Sequence, residues 1–317
     1  MLRNCNLGQT NAKKMHVGKY CDNFKCQTLR VDNWKEIEIF NEETGITETE
    51  DVIEGEKDME IKESEKYLGE VISTDGKNIR NIKARVAKAG GIISKLITIL
   101  EAIPFGKFYH QVAIILRNSL LVSSLLCNSE SWYNVTKQEI ELLESVDLKF
   151  LRNIIKAPRS TPKEVVYLEL GCIPLREQLI KRRILFLHYI INESENSMIH
   201  KFFQTQLKTR KPKDWISTVM TDLKDLKIEK SIVEIKQLKK TTLKRIINNA
   251  IETRAFERLV RLKETHSKLN NLEYNQFKMQ NYFKASNKIT QEEVQTIFKL
   301  RIRMIDVKVN FKGKYEI

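Results

Sequence analysis

From residue 79 onward the apolar positions recur every three or four residues, whereas before residue 76 they alternate or scatter. Tyr67, Val71 and Ser73 alternate with Leu68 and Ile72 at β-favouring positions, and Asp75-Gly76 ends that run with a turn signal. Asn78 then caps a helix whose apolar stripe is Ile79, Ile82, Val86, Ile93, Ile97 and Leu100, stopping at Pro104. Thr136 and Glu139 read as a capping box, and Ile140, Leu143, Val146, Phe150 and Ile154 mark one face of the helix that follows, ending before Pro158. Thr161-Pro162-Lys163-Glu164 predicts a second box with proline at the first helical position and Gly171 as the stop; Thr290 and Glu293 predict a third. Pro174 opens a helix through Leu175, Leu179, Ile184, Leu187 and Ile191, and further helices are expected over 197–208, 214–227, 231–249 and 250–268. The apolar run 112–127, broken by Arg117, is too short to span a bilayer comfortably and predicts a buried helix. No strand is expected beyond residue 75, so the fold class is mainly α with a small N-terminal antiparallel β portion.

A chain of 317 residues with 41% hydrophobic content has enough apolar surface for real cores and a prior of about two domains. The five cysteines, at 5, 21, 26, 127 and 172, are too few and too scattered for a disulfide scaffold and show no zinc spacing. The first residues carry no apolar signal region, so an intracellular protein of nucleus or cytoplasm is expected.

Charge divides the chain more sharply than its net of +14 suggests, because residues 201–317 hold 27 Lys and Arg against 13 Asp and Glu, while the first 200 hold 28 of each. Residues 36–65 carry 13 acidic and 2 basic residues, which predicts a solvated, mobile loop between two strands; a metal site among its carboxylates is the weaker reading, since nothing fixes their geometry.

Several stretches, taken in order, resemble non-LTR retrotransposon reverse transcriptases. Lys66 to Gly76, with Tyr67-Leu68-Gly69, is similar to the strand that closes the palm of that family and leads by an Asp-Gly turn into the thumb. The run from Asn11 to Lys19 resembles the palm segment after the catalytic strand. Asn128 to Tyr133, Leu148 to Arg152, Ser160 to Glu164 with Leu168 to Gly171, and Arg182-Arg183 with Phe186 to Tyr189 resemble the downstream helical region. Ile297 to Met304, with Asp306-Val307 and Asn310-Phe311, resembles the helix before a Cys/His-rich module, although no Cys or His follows His266. The resemblance implies a palm remnant over 1–76, a thumb-like helical region over 77–196 and a basic C-terminal helical region over 197–317, with the chain truncated at both ends.

The complete family enzyme holds two Mg²⁺ ions with palm carboxylates, one pair of them in a Tyr-X-Asp-Asp turn. This chain contains no Asp-Asp. Asp22, Asp32 and Asp51 match no metal motif, so no catalytic residue, metal ligand or cofactor is assigned and the chain is expected to be inactive alone. Other enzyme readings fare no better: there is no phosphate-binding loop, the five histidines never pair at metal-ligand spacing, His188 reads as structural, and Ser160 and Ser267 lack partners.

What the resemblance implies instead is a grip on a primer–template duplex, DNA or RNA–DNA, with no membrane partner. It places Lys13, Lys14 and Lys19, with the primer-grip-like strand Tyr67, Leu68 and Gly69, near the primer end. Charge and helix spacing add Arg152, Lys156, Arg159, Lys163, Lys181, Arg182 and Arg183, the last three contiguous and fanning broadly around a helix at about 100° per residue. Two alternatives stand beside this. The cations are solvated or paired with Glu144, Glu164 and Glu169, or the chain is a non-enzymatic helical interaction protein with a solubilising basic surface.

Overall fold

The computed structural model describes residues 63–67, 70–103, 108–209, 211–284 and 289–303, and the backbone alone of 34–41 and 46–53. The fold is mainly α. The chain divides into two compact units between Asn81 and Ile82.

In the first unit, β1 (Trp34–Asn41) pairs antiparallel with β2 (Ile46–Ile53), from Trp34 opposite Ile53 to Asn41 opposite Ile46. The expected loop over 36–65 is corrected here. Its charge conceals a period of two, with Ile37 and Ile39 alternating with Glu36 and Glu38, and Thr47 and Thr49 adding β-branched residues. The single strand expected through 67–72 is likewise two, β3 (Ser64–Tyr67) and β4 (Glu70–Ser73), paired so that Tyr67 faces Glu70. The Asp75-Gly76 turn is present: Asp75 Oδ1 accepts from Ser73 Oγ at 2.6 Å and from the Lys77 amide at 3.0 Å, and Gly76 has a φ of 66°.

The first helix, α1 (Ile79–Glu101), begins directly after Asn78. In the second unit, α2 (Tyr109–Leu116) continues through a π-helical turn, Arg117–Val122, into α3 (Ser123–Leu125), so the single helix expected over 112–127 is widened at Arg117. Then follow α4 (Lys137–Ile155), α5 (Lys163–Leu170), α6 (Leu175–Asn192), α7 (Met198–Thr209), α8 (Trp215–Asp225), α9 (Ile232–Gln237), α10 (Lys240–Thr265), α11 (Asn281–Lys284) and α12 (Gln291–Arg301). The expected boxes at Thr136/Glu139 and Thr290/Glu293 form, and one at Ser231/Glu234 adds to them. The box at Thr161 does not. Pro162 is the N-cap itself, leaving the Thr161 side chain buried behind the helix start. The break expected near 249–250 lies at Leu238 and Lys239 instead, where extended backbone separates α9 from a single long α10.

Two apolar cores hold this unit. One gathers the buried stripes of α1, α4 and α5 with Phe283 and Phe298; the other lies among α6, α7, α8, α9 and the first half of α10. The expected boundary at 196/197 therefore separates no bodies, since α6 shares its core with α8 and α10.

Several buried charges are paired with a charge of opposite sign. Arg117 grips Asp147 within the first core. Glu169, fully buried on α5, accepts from Tyr274 Oη at 2.9 Å, Tyr282 Oη at 2.6 Å and Arg301 Nε at 3.0 Å. Burial and the Glu169 charge together push both tyrosine hydroxyls far above their usual range. Arg301, on the helix read as resembling the one before a Cys/His-rich module, thus ties α12 to Glu169 of α5.

Candidate nucleic-acid interface

Lys13, Lys14, Lys19, Leu68 and Gly69 lie outside the described residues, and of the primer-grip-like strand only Tyr67 is seen, on β3 and 39% exposed. Around α4 and α5 the four expected cations separate. Lys156 ends α4 in a left-handed conformation and is exposed, as is Arg159. Arg152 is turned inward, donating from its NH2 group to the Thr161 carbonyl at 2.8 Å, and Lys163 pairs with Glu144 at 2.7 Å.

The three contiguous cations of α6 do not form an outward arc. Consecutive helical residues diverge by about 100°, and α6 is flanked by α4, α8 and α10. Arg183 is buried, gripping Asp222 through Nε–Oδ2 at 2.6 Å and NH2–Oδ1 at 2.9 Å. Burial still holds the Asp222 carboxyl above its ordinary range, with Arg183 pulling the other way. Arg182 donates to the Leu126 carbonyl at 2.5 Å. Lys181 is half-buried and donates to Asn248 Oδ1 on α10 at 2.8 Å. Arg183 is therefore withdrawn from the candidate surface, and Arg182 faces it only in part. His188 has the structural role expected of it, its Nε2 bonded to the Leu238 carbonyl at 2.8 Å.

A basic face that sequence reasoning passed over lies on α1. Residues 77–100 contain no Asp or Glu. Lys83, Ala87, Lys88, Gly90, Gly91, Ser94, Lys95 and Thr98 are all exposed, and the three lysines form no ion pair among the described residues. Nothing stands within 4 Å of where a Cβ would project from Gly90 or Gly91. Ser94 and Thr98 turn their hydroxyls back onto the helix, to the Gly90 carbonyl at 3.2 Å and the Ser94 carbonyl at 3.1 Å. The result is a low ridge with Lys88 and Lys95 along one side and Lys83 in line with it at the N-terminal end. The signal was in the sequence as an acid-free run, but the surplus of residues 201–317 outweighed it.

Among the described residues no group of three or more His, Cys, Asp or Glu is placed to hold a metal ion, and no helix is long and apolar enough to cross a membrane. No family model, curated protein or solved structure matches the chain.

Proposed function

We propose that the chain is a catalytically incomplete portion of a retroelement RNA-directed DNA polymerase that binds a nucleic-acid duplex, such as a primer–template, through basic helices inside the cell. The observation that carries this reading is the outer face of α1, where Lys83, Lys88 and Lys95 flank an open stretch of small residues with no carboxylate among them. Small side chains let a phosphate backbone approach closely, and unpaired lysines neutralise it without reading base edges. The sequence resemblance supplies the rest: the ordered run of motifs from the Tyr-Leu-Gly strand onward.

The test is the affinity for a mixed-sequence duplex, followed by fluorescence anisotropy across a salt series. Affinity should fall linearly on a log–log plot, and changing Lys83, Lys88 and Lys95 together to Gln should reduce the slope by about 2.7, at about 0.9 per phosphate contact. Absence of salt-dependent binding, or an unchanged slope in the triple variant, would reject the reading. A second reading, a non-enzymatic interaction protein, draws on the apolar side chains left in solvent at Ile115, Met198, Val233 and Val260, each more than half exposed. Duplex affinity that does not respond to salt would favour it.

A further inference from the structure

We infer that the seam between α6 and α10 is a phosphate-binding site for a nucleic-acid strand, with Lys181, Lys240 and Lys244 as its cations and the Asn248 amide as a neutral donor. This deepens the proposed function and rests on it.

The seam is built by two cross-links. Lys181 Nζ meets Asn248 Oδ1 at 2.8 Å, and seven residues further along α6 His188 meets the Leu238 carbonyl, so the two helices run antiparallel. Lys240, Lys244 and Asn248 follow one another at intervals of four and are all exposed, forming a row about 6 Å apart per step along α10. Because the Asn248 oxygen accepts from Lys181, its NH2 group is the end left to donate outward.

No carboxylate compensates these charges. Residues 178–192 and 235–251 contain no Asp or Glu, and Lys181, Lys240 and Lys244 form no ion pair among the described residues. The acids just beyond are engaged elsewhere. Glu177, one turn before Lys181, is buried against Arg258 at 2.5 Å, with Arg254 at 3.8 Å. Glu252, one turn after Asn248, accepts the Phe277 amide at 2.9 Å, and Glu234 closes the cap of α9. Burial, and next the like charge of Lys244, hold the Lys181 ammonium below its ordinary pKa range. Lys239 and Lys240 also open α10 with no acidic residue in its first turn, the end of a helix where cations are disfavoured. An arriving anion relieves all of these at once. Row spacing and single-point ammonium charges suit successive phosphodiesters, whose charges repeat along a strand.

The deciding experiment measures the salt slope of duplex binding for the full chain, for Lys240→Gln with Lys244→Gln, and for those two with Lys181→Gln. A control carries Lys201→Gln and Lys208→Gln, two exposed lysines of α7. The double variant touches only exposed side chains without partners, so it folds even if removal of the Lys181 contact proves disruptive. The slope should drop by about 1.8 in the double and about 2.7 in the triple variant, and by clearly less in the control. Parental slopes in both variants, or an equal drop in the control, would overturn the inference while leaving the proposed function standing. A parent that binds no duplex removes both. Inorganic pyrophosphate, at matched ionic strength, should displace the duplex only weakly. Displacement at duplex-like affinity would mean that the seam takes a small free anion and that the strand assignment is wrong.

Discussion

Arg117 and Asp147 form a two-pronged ion pair sealed from water: Nε lies 2.6 Å from Oδ1 and NH2 2.5 Å from Oδ2, with the side chains 1% and 0% exposed. Tyr167 Oη donates to Asp147 Oδ2 at 3.1 Å, and the guanidinium also reaches the Ile173 carbonyl at 3.2 Å. Burial opposes the Arg117 charge, but Asp147 outweighs it and holds the guanidinium above its usual range. Asp147→Ala leaves that charge buried alone and should cost about 3–5 kcal/mol in urea unfolding. Replacing both partners, Arg117→Met with Asp147→Leu, should cost much less. A single variant within 1 kcal/mol of the parent would refute the argument, taking about 1.4 kcal/mol as a tenfold change in the folding equilibrium.

His110 ties acid sensitivity to packing. It is buried against Phe283, with ring centroids 4.7 Å apart, and burial pulls its pKa down to about 4, against smaller raising effects from backbone at Phe283 and Ile154. The unfolded chain protonates this residue near pH 6.5 and the folded chain does so only near 4. Its contribution to stability is therefore complete above about 6.5 and is lost as pH falls through that window. Between pH 7 and pH 5 it should remove about 2 kcal/mol. The same pair of unfolding curves on His110→Leu should show a shallower loss, and parallel losses in both chains would contradict the assignment.

Gly171 ends α5 with a φ of 60°, and a Cβ there would run into the backbone of Lys278 and Met279. Gly171→Ala therefore meets both a left-handed backbone and a collision, and should destabilise by at least about 2 kcal/mol. Gly90→Ala, in the open on α1, should stabilise by a few tenths to about 1 kcal/mol. Equal effects at the two glycines in thermal unfolding would count against this reading.

With no Asp-Asp turn anywhere in the sequence, the chain should not extend a primer in Mg²⁺ or Mn²⁺ while still binding the primer–template in a salt-dependent way. Templated incorporation above a buffer control would contradict the first half, and it is read directly on a denaturing gel.

The helices of the second unit were legible because their signals are local: Thr136 with Glu139 and Gly171 each act within one turn. The sequence misled where tertiary partners decide. Arg182 and Arg183 read as surface cations because neither Leu126 nor Asp222 is near them in sequence. The extended joint at Leu238 and Lys239 depends on His188, fifty residues earlier. The 34–53 hairpin was missed for the opposite reason: a strong charge imbalance hid a plain alternation.

The Glu169 contacts bear on the order of folding during synthesis. The acid is translated 105 residues before Tyr274, 113 before Tyr282 and 132 before Arg301. On a ribosome making about 5–20 residues per second, α5 waits many seconds for the groups that make its buried charge tolerable. During that interval the folded form of α5 is disfavoured and the first core stays loose, whereas the second, whose members end at Ile251, is already complete. Nascent chains arrested with Tyr274 to Arg301 still in the exit tunnel should therefore resist proteolysis around α8 and the first half of α10 but be cut around α5.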